Sequence, residues 1–286
     1  MTARPPSFSR RSVAIAAALF GTVSLALGAH AALNKRVLDA APAVAADHGG
    51  ESANKGARLA LVIGNGHYPD AAAPLTQPIN DARALSGALR RDGFDVDVVE
   101  DASKDDMARA VERLQGKIRP DSVVMLFYGG YGIQAGRESY MIPVDARIWK
   151  EADVRRDGLS VEKVLEVMKQ QGARAKLVVI DAARRNPYER RFRAFSHGLA
   201  PVNAPANALV LSSATPGKVV DDSDGQNSVL VTELLNNLDG RPSGAETVFN
   251  KTRVAISRAS EGEQVPSVSS SLLEEVRFGS EQGAGS

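Results

Sequence analysis

Several runs of strand length in this chain are apolar almost without interruption: RLALVIG at 58–64, DSVVMLFY at 121–128, KLVVI at 176–180 and ALVLS at 208–212. A half-exposed strand alternates apolar and polar residues, so runs like these are expected to bury both faces. Between them lie stretches whose apolar residues recur every three or four positions. One is NDARALSGALRRDG, with Asn80 or Asp81 as the expected cap and Gly93 as the stop. Ser103 opens a second, through Met107, Ala110, Val111, Leu114 and Ile118, and Ser160 a third, through Val164, Leu165 and Met168. Two more helices are expected at about 228–238 and 245–258, and FDVDVVE at 94–100 as a further strand. The alternation predicts an α/β fold, a mainly parallel central sheet of about six strands with helices on both faces. Ligands of such sheets sit at the carboxyl ends of strands. The loops GNGHYPD, GGYGIQAGRES and DAARRNPYERRFR are therefore where a site is expected.

The chain has 286 residues, 43% hydrophobic and 24% charged, enough to bury one sizeable core. It contains no cysteine, which removes disulfides, thiolate metal sites and thiol nucleophiles from consideration. No His and carboxylate set has metal-ligand spacing, and neither a metal nor another cofactor is expected. Residues 1–31 read as an export signal: Arg4, Arg10 and Arg11 precede an apolar run from Val13 to Ala29, and Ala29-His30-Ala31 suits cleavage. The expected location is periplasmic or secreted, or membrane-anchored if the segment is retained. Without it the balance is 32 basic against 34 acidic residues, which argues against a nucleic-acid partner. Residues 32–57 read as a flexible linker, 58–278 as the folded domain and 279–286 as a tail.

Six short motifs in chain order carry a resemblance. They are Val62-Ile63-Gly64-Asn65, Asn80-Asp81-Ala82, Phe127-Tyr128-Gly129-Gly130-Tyr131-Gly132, Tyr140-Met141-Ile142-Pro143-Val144-Asp145, Asp181-Ala182-Ala183-Arg184-Arg185-Asn186-Pro187 and Gly225-Gln226-Asn227-Ser228. In this the chain resembles the caspase-like peptidases (peptidase C14), most closely their bacterial members, and the resemblance implies the caspase-haemoglobinase-like fold. Members carry a catalytic His in the F-Y-x-G-H-G segment and a Cys in D-A-C-R. Here Tyr131 and Ala183, 52 residues apart, stand at those positions. A methyl group cannot attack a carbonyl, and an ordinary phenol, with a pKa of about 10, is a poor base near neutrality. The chain is therefore expected to be inactive as a cysteine peptidase and to act as a peptide-binding or regulatory module. The alternative is a hydrolase on the same fold that uses another nucleophile.

The resemblance also implies binding groups. Asp181 stands where family members that cleave after Arg or Lys hold an acid for the basic side chain, and Asp145 is a second candidate for that environment. The backbone N–H groups of Gly132 and Ala183 are candidates for an oxyanion-hole-like pair. A peptide or protein bearing Arg or Lys is the expected partner. Arg184, Arg185, Arg190, Arg191 and Arg193 offer a rim that would take an acidic partner, or pair with local acids such as Glu189. Asp221, Asp222 and Asp224 read as a solvated turn near the pocket edge. For a serine hydrolase only His67 and His197 are available within the folded region, with Ser196, Ser212 and Ser213, and no G-x-S-x-G elbow surrounds any of these serines.

Overall fold

The computed structural model describes residues 56–69, 74–182, 188, 199, 201–202, 204–215, 217–218, 225–239 and 242–279. Its centre is a six-stranded sheet in the order β10-β8-β7-β3-β1-β2. The strands are β1 (Arg58–Gly64), β2 (Asp95–Glu100), β3 (Val123–Gly129), β7 (Ala175–Asp181), β8 (Ala208–Ser212) and β10 (Ser267–Ser270). Five run parallel, and β10 closes one edge antiparallel to β8. Every residue of β3, β7 and β8 is buried, as their unbroken apolar runs require.

The two faces of each strand serve two separate cores. Leu61, Ile63, Leu126 and Ile180 point to one side and meet α2 (Lys104–Lys117) and α4 (Val161–Gln170). Val62, Met125, Phe127 and Val179 point to the other and meet α1 (Gln77–Arg91), α5 (Val229–Leu238) and α6 (Ala245–Ala259). The expected architecture, a mainly parallel sheet covered on both faces, is the one observed. Among the described residues no helix is long and apolar enough to cross a membrane, and residues 1–31 lie outside that set.

Three features differ from the sequence reading. The segment from Gly132 to Ser160 is not plain loop. It forms β4 (Gly132–Ala135), β5 (Glu138–Met141) and β6 (Leu159–Ser160), a small antiparallel sheet, with α3 (Glu151–Asp157) before β6. These pieces are too short to show a period, and the β4–β5 turn is marked only by Gly136, at φ +66°. The outer strand β10 was hidden among serines, because an edge strand with exposed residues needs no apolar run. Finally, α1 starts at Gln77 and not at Asn80 or Asp81. Pro78 lies in the first turn, where its fixed φ and missing N–H are compatible with a helix start, so Asp81 falls inside the helix and is free for another task.

Ser103, Ser160 and Ser228 do cap their helices. At α2 the device is reciprocal: Asp106 N–H donates to Ser103 Oγ (3.2 Å) and Ser103 N–H to Asp106 Oδ2 (3.1 Å). We expect Ser103→Ala to lower stability by about 1 kcal/mol in urea unfolding, with no change in the dependence on urea concentration.

Candidate functional site

Parallel pairing brings the carboxyl ends of three strands level, because Gly64 is the partner of Gly129 and Gly129 of Asp181. The chain leaving these ends is buried and its polar groups need partners. Asn65, fully buried, supplies three of them. Its N–H donates to Gly129 O (2.9 Å), its Nδ2 to Ile142 O (3.1 Å), and its Oδ1 accepts from Ala102 N–H (2.8 Å).

Two tyrosines continue the network. Tyr131 N–H donates to Tyr68 Oη (3.0 Å), and that hydroxyl donates to Ile142 O (3.0 Å). The Tyr128 hydroxyl donates to Tyr131 O (2.7 Å) and accepts from Ile142 N–H (3.0 Å). The rings of Tyr68 and Tyr131 meet edge-on, with centroids 4.7 Å apart. Gly130 lies between, at φ +154°, where a Cβ would sit 2.6 Å from Tyr68 Oη and 2.7 Å from Tyr128 Oη. Only glycine fits there. The Gly130 N–H donates to Asp181 O (3.2 Å), and Gly132 packs so closely that a Cβ on it would lie 2.9 Å from Ala182 Cβ. Tyr131 is thus buried in a loop held from both sides against the end of β7. Gly132 follows it directly, while Ala183 lies outside the described residues, so one half of the expected oxyanion-hole-like pair is placed.

Asp181 is buried at the end of β7. Asp145 does not join it. It is exposed, and its Oδ1 accepts the Lys104 N–H (2.9 Å) at the start of α2. Asp81, on α1, feels the charge of Asp181. Asp81 Oδ1 accepts from Asn227 Nδ2 (2.8 Å) and Ser228 N–H (3.0 Å), and its buried Oδ2 has no hydrogen-bond partner among the described residues. Gln77 and Asn80 donate to Gly225 O and Gln226 O (2.9 and 3.1 Å), so the early N-D-A motif and the late G-x-N-S motif form one contact across the fold. Both motifs were legible; their pairing was not, because Asp81 read as a helix cap. Burial, and then the charge of Asp181, push the Asp81 carboxyl up to about 7, against the hydrogen bonds from Asn227 and Ser228.

His67, mostly exposed, places Nδ1 2.6 Å from Asp101 Oδ2. Among the described residues its side chain meets no serine hydroxyl. Ser212 and Ser213 are buried at the end of β8. The arginines at 184, 185, 190, 191 and 193, Glu189, Ser196, His197 and the acids at 221, 222 and 224 lie outside the described residues.

The Asp81 arrangement has a pH signature. The unfolded chain loses this proton near its ordinary value of 3.8 and the folded chain near 7, so between them the folded state holds the extra proton and stability falls as pH rises. At about 1.4 kcal/mol per tenfold change in proton affinity, the ionised form costs on the order of 4 kcal/mol. Thermal unfolding should therefore show Asp81→Asn gaining on the wild type at about pH 8.5 and losing most of that gain at about pH 5. An equal difference at both values would remove the charge burial from the account.

A sequence model of the peptidase C14 family, the caspase domain, matches residues 57–277. The chain is also similar to the human mucosa-associated lymphoid tissue lymphoma translocation protein 1, 28% identical over 133 residues. Its mouse homologue is 29% identical over the same length. The matched stretch is 46% of this chain and 16% of each relative, so the chain spans well under two thirds of the length of these relatives.

Proposed function

The chain belongs to the caspase domain family of peptidases, and on that premise we propose that it is a member without cysteine-peptidase turnover which binds basic peptide side chains at Asp181 and Asp81. The observation that carries the reading is the buried Asp81 carboxyl on α1, raised to about 7 with the charge of Asp181, buried at the end of β7, as its second cause. Burial and the charge of Asp181 make the ionised form of Asp81 costly, and a guanidinium beside it would relieve that cost. The absence of cysteine supports the loss of turnover: the family's covalent step needs a thiolate, and this chain has none to offer. Tyr131, in the base's place, has its backbone fixed by Tyr68 and Tyr128, which suits a wall of a binding site. Export through residues 1–31 belongs to the same proposal, and N-terminal sequencing of exported protein should give a chain starting after Ala31. A mature chain that begins at Met1 and partitions with membranes would support an anchor instead.

Calorimetry with a peptide ending in arginine and its norleucine analogue tests the pocket. We expect the arginine peptide to bind more tightly, and Asp181→Asn to remove about 2 to 5 kcal/mol of its binding. The preference should grow as pH rises through about 7, where Asp81 becomes ionised, and Asp81→Asn should flatten that dependence. Equal binding of the two peptides, or an arginine preference that survives Asp181→Asn, sinks the binding role.

Peptides containing Arg or Lys should not be turned over. Sustained hydrolysis that persists in Tyr131→Phe but is abolished by His67→Ala would instead favour a hydrolase built on the oriented His67–Asp101 pair.

A further inference from the structure

The opposite edge of the sheet carries a second concentration of charge. Arg58 pairs with Val123, and Val123 with Ala175, so the amino ends of β1, β3 and β7 are level just as their carboxyl ends are. Seven residues at about 3.3 Å each separate the two edges by about 20 Å. Here a cleft of about 250 Å³ is lined by Arg58, Arg174 and Arg277, with Glu275 as the acid among its lining residues and Val123 and Val276 as apolar wall. The segment that closes it is β11 (Arg277–Phe278), paired with β9 (Ser243–Gly244).

Each guanidinium has a carboxylate partner, yet none is used up. Arg58 Nη2 donates to Asp92 Oδ2 (2.8 Å) and Arg277 O (2.9 Å), and the guanidinium lies 4.5 Å from the centre of the Phe94 ring. Its buried Nε–H has no hydrogen-bond partner among the described residues. An unmet donor of this kind costs free energy in a folded protein. Arg174 meets Glu274 at 3.2 Å and Arg277 meets Glu275 at 2.8 Å, both exposed pairs that hold their partners weakly. Asp92 and Glu274 do not line the cleft, so the three guanidinium groups reach it from one side while two of their three acids stand behind them. Burial pushes the Arg58 guanidinium below its ordinary value. Asp92 opposes that fall and the charge of Arg174 adds to it.

The geometry points to a binding site for a phosphate group in this cleft, its oxygens taken by Arg58, Arg174 and Arg277, with any attached organic body lying along Val123 and Val276. A phosphate carries a charge of about −1.5 to −2 near neutrality, enough to draw Arg174 and Arg277 away from their weak exposed partners Glu274 and Glu275. Its tetrahedral oxygens accept from several forks at once, which a planar carboxylate does less well. The bound group would also tie β11 to the start of β1. The site is separate from the acidic pocket and does not depend on it.

Calorimetry on the full chain at constant ionic strength tests this with phenyl phosphate, inorganic phosphate and benzoate. We expect saturable binding of phenyl phosphate, weakened roughly tenfold or more by Arg174→Gln or Arg277→Gln. Arg137→Gln, on the distant β4–β5 turn, and Asp181→Asn, in the other pocket, should leave it unchanged. Inorganic phosphate binding as tightly as phenyl phosphate would identify the free ion as the ligand, and weaker binding would identify an ester. Should Arg277→Gln disturb the β11 segment, Arg174→Gln carries the test, because its half-exposed side chain bonds Glu274 and no other group among the described residues. Benzoate binding as tightly as phenyl phosphate, no saturable binding at all, or unchanged affinity in Arg174→Gln would each overturn the assignment.

Discussion

Strands that are buried on both faces leave their ends as the places where polar chemistry can collect, and the rest of this protein is arranged around that constraint. β1, β3 and β7 pair in a register that ends them level, at Gly64, Gly129 and Asp181. Their apolar sides are consumed by two cores, so the backbone that leaves them must find its hydrogen bonds within the buried rim. Asn65, Tyr68 and Tyr128 supply those bonds. The loop from Gly130 to Gly132 is consequently held against Ala182 by hydrogen bonds and close contact, whatever side chain stands at position 131.

The same rim explains why the acidic pair is costly. Charged carboxylates are rarely buried unless paired with a cation or amply hydrogen-bonded. Asp81 has two hydrogen bonds on one oxygen, from Asn227 and Ser228, and faces the charge of Asp181. Those bonds also join α1 to the start of α5, so the carboxylate holds two helices together. An arrangement that burdens stability in this way fits binding better than scaffolding alone. It is present in a caspase-domain chain with no cysteine. Among the described residues Asp81 and Asp181 are both buried, and a thiol nucleophile is absent from the whole sequence.

Much of the fold was legible because its causes are local. Unbroken apolar runs demand two buried faces, serines before periodic stretches cap helices, and the alternation of the two demands a covered parallel sheet. The loops at the carboxyl ends followed from that; within them, Tyr131 and Asp181 were singled out by the caspase-like resemblance. The hairpin of β4 and β5, the edge strand β10 and the short α3 gave no periodic signal, since each is stabilised by what it packs on and not by its own pattern.

What the amino-acid sequence determined by itself, then, was the strand and helix alternation and the absence of a thiol. Tertiary structure alone decided which acids meet. Asp81 and Asn227 are 146 residues apart, and Asp145 lies nearer to Asp181 in sequence than Asp81 does. Yet Pro78 moves the start of α1 back so that Asp81 turns inward, while Asp145 is engaged by the Lys104 N–H on the surface. Residue type can announce a carboxylate, but only packing sets its distance from another charge and from water, and those two distances govern its energy.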